Sequence, residues 1–309
     1  LPMSKYAIRR ILLVIPVLWA VYTVTFILMH ATPGGPWDQE KRLPPEVIAN
    51  LNKKYRLDEP LWKQYIDYPI GILTRFDFGP SFTSLSRDVT DVIRDFFPVS
   101  IQLGVTAMIL GILVGVPLGI ISALRQNTIA DYGSMFFAII GISTPSFVMG
   151  PLLVLVFVLT LKIIPSTGGW GRWDQIILPA MTLALGPTAV LARYTRSCML
   201  EVIRMDYIRT ARAKGLAERL VVFRHALKNA LIPVVTVAGV ILANVITGSF
   251  YVETVFAIPG IGRYFVMSVS NRDYPVLMGV TLLYAFVIAM MNLIVDLVYG
   301  YLDPRISYE

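Results

Sequence analysis

The chain has 309 residues, 56% of them hydrophobic and only 15% charged, with a net charge of +7 and a mean hydropathy of +0.66. Water-facing surface has to be polar, so this balance excludes a soluble domain and specifies a polytopic membrane protein. A single cysteine, Cys198, excludes an intrachain disulfide, and with His30 and His225 as the only histidines no His/Cys cluster has metal-ligand spacing, so zinc is not expected.

A span needs about 20 apolar residues, at about 1.5 Å rise each, to cross a hydrocarbon core of about 30 Å. Six runs qualify in chain order: 11–31, 101–124, 134–161, 176–192, 231–251 and 276–298. The first is long for a signal-peptide core and has no evident small-x-small cleavage site, so it reads as an uncleaved span. The segment 32–97 that follows mixes charges with patches of helical period. Val47, Ile48, Leu51 and Tyr55, then Leu61, Trp62 and Tyr65, then Val89, Val92, Ile93 and Phe96 predict short amphipathic helices packed on the outer mouth. Trp37, Trp170 and Trp173 fall at outer span ends, where indole rings anchor near headgroups.

The third run contains STPSF at 143–147 and then Pro151, which predicts a break about halfway across. Such a break suits the border of a cavity and an ordinary kink filled by neighbours alike. The fourth run is short and carries Pro179 and Pro187, but the charge pattern requires it. In the fifth, Gly239 and Ala243 stand four apart, a spacing for close helix approach.

Lys and Arg in short loops stay on the cytoplasmic side. Cytoplasmic termini put Lys5, Arg9, Arg10, Arg125, the basic residues from Arg193 to Lys228, and Arg305 inside, against Lys162, Arg172, Arg263 and Arg272 outside. This topology also accounts for the net charge, because the excess sits in one inner loop beside lipid, so nucleic acid is not expected. The nearest carboxylates to the bilayer interior are Asp296, close to the inner end of the last span, and Glu253, at the outer end of the fifth. Asn244 and Asn292 read as interhelical hydrogen-bonding residues. Ion-coupled carriers need a carboxylate near the midplane, so transport here implies an energy source on another chain. No Gly-Lys-Ser/Thr occurs, so the chain has no P-loop, and Gly168 and Gly169 read as a turn. The alternative class is an ion-coupled secondary transporter or channel with no ATPase partner.

The inner loop is DYIRTARAKGLAERLVVFRHALKNALIPVV at 206–235. Leu216, Leu220, Phe223 and Leu227 recur on one narrow helical stripe, with Arg219, Arg224, His225 and Lys228 away from it. The run before Gly215 is also helix-compatible, so Gly215 reads as a corner between two helices. The product is a basic knob suited to a groove on a partner. The same pattern suits a loop that satisfies the positive-inside rule and rests its stripe on the bundle or lipid.

At this point the sequence resembles the permease subunits of ATP-binding-cassette importers, in particular the first permease of oligopeptide and dipeptide importers. That family carries a cytoplasmic Glu-Ala-Ala, three residues, Gly motif, and RTARAKGL at 209–216 is similar to its peptide-importer form. Arg209, Thr210 and Ala211 stand at the Glu-Ala-Ala positions and Gly215 at the glycine, while Arg209 departs from the general glutamate and Lys228 from a frequent proline. RRILLVIPVL, RLDEPLWKQY, VFAIPGIGR, NRDYPV and DPRI are also similar, so the resemblance spans nearly the whole chain.

The resemblance implies an all-α polytopic fold of the type I importer-permease architecture, with six transmembrane helices and cytoplasmic termini, in a bacterial or archaeal inner membrane. It divides the chain into a first span (1–31), an extracytoplasmic segment (32–97) and a five-span core (98–309) holding the coupling loop 193–230. The implied partners are a second homologous permease, two cytoplasmic ATPase subunits that bind ATP and Mg, an extracytoplasmic solute-binding protein, and membrane lipid. No cofactor is bound by this chain, which is not itself an enzyme. The solute is implied to be a peptide, although related permeases also handle nickel complexes, glutathione or sugars. Asp206, Tyr207, Arg209, Thr210, Ala211, Arg212, Gly215, Leu216, Leu220 and Phe223 are the implied ATPase-docking residues.

Overall fold

Backbone N–H and C=O groups find no water in a bilayer, so apolar runs satisfy them internally as helices. The computed structural model describes residues 3–37, 44–84, 86–164 and 168–302. Leu1, Pro2, Arg305 and the DPRI stretch at 303–306 lie outside the described residues. Among the described residues there is no strand, only an isolated bridge between Pro80 and Asp88. The long helices are α1 (Met3–Ala31), α4 (Val89–Leu124), α7 (Trp173–Ile203), α9 (Glu218–Ile246) and α12 (Tyr274–Leu302). Shorter ones are α2 (Pro45–Lys54), α3 (Leu61–Arg75), α5 (Ile129–Ser143), α6 (Ser146–Thr160), α8 (Asp206–Ala213), α10 (Phe250–Val255) and α11 (Ile261–Ser270). Among the described residues five helices are each long and apolar enough to cross a membrane, and α5 with α6, bent by 108° at their break, makes six if the pair counts as one span.

Several boundaries differ from the sequence expectation. Val89, Val92, Ile93 and Phe96, read as a separate short helix, are the opening turns of α4, which runs unbroken through 97 and 98. α7 continues well past Ala192 to Ile203, so Arg193 and Arg196 belong to a helix rather than to a loop. Glu218 to Ile246 is one helix, so the second arm of the knob is the start of the fifth span itself. An apolar window stops at the first cluster of charge, whereas a helix does not.

The centre of the bundle is α4 against α7. Gly111, Gly115 and Gly119 recur every four residues on one face of α4, and a Cβ at Gly115 would stand 2.6 Å from the Thr188 carbonyl oxygen, at Gly119 2.5 Å from that of Ala192. Only glycine lets the two backbones come this close. Gly239 of the fifth span makes room for the Val295 side chain of α12, and Ala243 is buried.

At the end opposite the basic knob, α2 and α3 form a cap. The Tyr22 hydroxyl of α1 donates to the Tyr65 carbonyl at 2.6 Å, and the Tyr22 and Tyr68 rings stack. Asp273, before α12, is buried and accepts the Ser81 hydroxyl at 2.5 Å and the N–H groups of Phe82 and Thr83, both at 3.1 Å. Trp37 donates to Asn52 at 2.8 Å and packs on Tyr55 and Phe82, and Trp170 reaches Gln102 at 3.3 Å, so both are held by protein. Of the three indoles read as headgroup anchors, only Trp173 is broadly exposed.

Candidate functional site

An eight-residue helix is too short to hold itself in water, so α8 needs a seat. Its Ile208 and Ala211, three apart on one face, are buried against Met199 of α7, Val221, Val222 and Ala226 of α9, and Ala123 at the end of α4. Burying an isoleucine of this kind stabilises by about 1.5 to 3 kcal/mol. Tyr207 adds a polar strut, its hydroxyl accepting from the Asn229 amide at 2.8 Å.

The corner is built at Gly215, whose φ of +75° is the left-handed region that side chains disfavour and glycine does not. Its N–H donates to the Arg212 carbonyl at 2.9 Å. Across the corner the Arg212 guanidinium grips Glu218 with both arms, at 3.1 and 2.6 Å, so the angle between α8 and α9 has a side-chain brace as well as a backbone one. Asp206 opens α8 and pairs with Arg209 at 3.4 Å, and the Thr210 hydroxyl donates to the Asp206 carbonyl at 3.0 Å.

The stripe expected from sequence is divided. Leu216 and Leu227 pack half-buried against the cluster under α8, whereas Leu220 and Phe223 are exposed, Phe223 at 58%. The reason is local: Val221–Ala226 is π-helical, and i→i+5 hydrogen bonding turns Val221 and Val222 inward and Phe223 outward. Of the predicted docking residues, Ala211 supports the knob from below. Asp206, Tyr207, Arg209, Thr210, Arg212, Gly215, Leu220 and Phe223 share its exposed surface, with Leu216 at the edge.

Among the described residues four carboxylates are buried, Asp131, Asp174, Glu253 and Asp273, and sequence reasoning gave none of them a buried role. Asp131, at the start of α5, is 2% exposed and paired with Arg196. The available signal was Thr128-x-x-Asp131 ahead of an apolar run, a helix-start pattern. Glu253, read as an end-of-span residue, is fully buried on α10, outside the candidate spans. It accepts the Ser100 hydroxyl at 2.7 Å and the Arg263 N–H at 3.0 Å, and Ser100 in turn accepts the Ile261 N–H at 2.9 Å. Burial pushes the Glu253 carboxyl up from the ordinary glutamate range, against these hydrogen bonds, which hold it down. A Cβ at Gly248 would come within 2.7 Å of this carboxylate, and Gly260 and Gly262 also crowd it. Asp296 pairs with Arg10 at 2.9 Å, joining α12 to α1 at the basic end.

Comparisons with known proteins give this geometry a context. Residues 115–308 match the family model described as binding-protein-dependent transport system inner membrane component, and residues 3–104 match the one described as its N-terminal part. The dipeptide transport system permease protein DppB of Bacillus subtilis (strain 168) is 46% identical over 305 residues, 99% of this chain and 98% of that protein. The oligopeptide transport system permease protein OppB of Salmonella typhimurium is 45% identical over 308 residues, 99% of this chain and all of that protein. Among solved structures, an inward-facing MetNI methionine ABC transporter chain superposes with a TM-score of 0.55 at 16% identity, over 69% of this chain and 97% of that one. A chain of an amino acid ABC transporter with histidines superposes at 0.51, over 70% and 95%. At these identities the structures speak for the fold alone.

Proposed function

Since the chain belongs to the family of binding-protein-dependent transport system inner membrane components, we propose that it forms half of the pathway of an ATP-driven peptide importer. Family membership makes it a multi-pass permease of the cytoplasmic membrane, working in a complex with an ATPase and a solute-binding partner. It also decides against the ion-coupled carrier. The finer assembly is part of the proposal: one further homologous permease, two ATPase subunits that carry ATP and Mg, and a binding protein that delivers a short peptide to the end opposite the knob. Peptide is favoured over nickel complexes, glutathione or sugars because the full-length relatives at 46% and 45% identity are named for dipeptide and oligopeptide transport.

The knob carries this reading. A basic surface with Leu220 and Phe223 exposed between Arg219 and Arg224 suits a groove with an apolar floor and acidic rim on an ATPase. α8 is seated on α7, and its corner runs straight into α9, so a displacement of the knob reaches two spans without a flexible joint. That is a coupling free energy carried by a rigid contact. Proline cannot adopt φ of +75° and has no N–H for the Arg212 carbonyl, so Gly215→Pro should abolish ATP-driven uptake by the reconstituted complex while membrane insertion persists. Leu220→Asp with Phe223→Asp should lose the co-purifying ATPase. Wild-type uptake by either correctly inserted variant sinks the docking role.

A further inference from the structure

The Asp131–Arg196 pair joins three helices at one carboxylate. Arg196 of α7 donates through Nε at 2.8 Å and Nη2 at 2.9 Å, Ser122 of α4 donates its hydroxyl, and the Asn127 N–H of the α4–α5 turn donates at 3.0 Å. Every acceptor direction of the carboxylate is used. Stability alone does not account for such a group, because a buried ion pair is commonly replaceable by apolar residues without loss.

Its position suggests another account. Arg196 lies on the helix that leads to the knob: α7 ends at Ile203, and only Arg204 and Met205 separate it from α8. Asp131 lies on α5, which ends at the 108° break before α6. Between these points α5 hugs α7, with Ala138 packed on Ala189 and Ala192, and a Cβ at Gly141 would be 2.9 Å from the Leu185 carbonyl oxygen. Small apolar contacts resist separation but slide readily along the helix axis, since they have no directional bond. The two-armed ion pair supplies the directional bond, at the end of α5 next to the knob.

We propose that Asp131 and Arg196 are positioning residues that lock α5 to α7, so that displacement of the knob moves α5 as one body with α7. The inference rests on the docking reading above and extends it from the knob to the first element beyond it.

The test uses the assembled transporter with its other cysteines, Cys198 included, replaced, and spin labels at Lys214→Cys on the corner and Tyr132→Cys on α5. A second label pair joins Lys214→Cys to Trp173→Cys at the far end of α7. The proposal expects the Lys214–Tyr132 distance to stay constant to within about 2 Å between nucleotide-free and ATP-bound states, the scale on which packed helices shift. A larger change in the otherwise unmodified complex overturns it even if no Asp131 variant folds. In Asp131→Asn the distance should broaden or shift on ATP binding, and peptide imported per ATP hydrolysed should fall about tenfold, with the ATPase still co-purifying. Arg196→Lys, which keeps the charge but not the fork, should fall between. An unchanged import-to-hydrolysis ratio in Asp131→Asn overturns the proposal. Loss of ATPase co-purification in the unvaried complex sinks the docking reading and this inference together, whereas retained docking with a mobile Lys214–Tyr132 distance sinks this inference alone.

Discussion

Glu253 illustrates what one residue does at a distance in sequence. Its carboxylate and the Ser100 hydroxyl bind the backbone at the start of α11, tying α4, α10 and α11 together across 153 residues of chain. Ser100→Ala leaves the Ile261 N–H buried and unpaired and takes one donor from Glu253, at a cost of about 1 to 3 kcal/mol. With the Glu253 carboxyl raised, there is a pH window above the ordinary glutamate value in which the folded state holds a proton that the unfolded chain has released. Stability from this group is therefore full below the ordinary glutamate value of 4.5 and declines as pH rises from there toward the raised folded value. Thermal unfolding in detergent across that window should show the decline, and Glu253→Gln should remove it. A variant with the same pH slope as the parent would show that another group titrates.

At the scale of elements, the glycine face of α4 sets how close α7 can lie. Gly115→Leu drives a side chain into the Thr188 backbone, and overpacking of this kind costs about 1 to 3 kcal/mol. Gly133 of α5, where an added Cβ would meet nothing within 4 Å, is the control: Gly133→Ala should leave detergent stability unchanged or slightly improved. Equal losses from both changes would remove close packing as the explanation. The same contrast shows what was legible beforehand. Apolar length located the candidate spans, the proline of STPSF and Pro151 marked the break, and a lone glycine marked the corner at Gly215, because these are local properties of the chain. The joins were not legible: α4 beginning at Val89, α9 beginning at Glu218, and α7 carrying Arg196 to meet Asp131. Each depends on a partner distant in sequence that makes a charged or amphipathic turn worth continuing. The π-helical register that exposes Phe223 while burying Val221 and Val222 against α8 was not legible either, because a regular helical stripe cannot show an i→i+5 turn.

For the whole molecule, the asymmetry of Lys and Arg favours a cytoplasmic knob with the α2–α3 cap on the other side, and we propose that orientation. A membrane-impermeant thiol reagent applied to intact cells should label Leu73→Cys, at a position 80% exposed, and should reach Lys214→Cys only after permeabilisation. The opposite pattern would invert the topology and remove the knob from any ATPase. The bend between α5 and α6 adds a sense of direction. Around Thr144 and Pro145 the main chain leaves its ladder, and hydrocarbon tails offer the freed amides and carbonyls nothing to bond. The flank bearing that interruption therefore has to turn from lipid, toward moisture or toward protein, whether this chain's own α7 and α10 or a neighbouring subunit, so the elbow at Thr144 marks a side of the molecule that acyl tails do not cover.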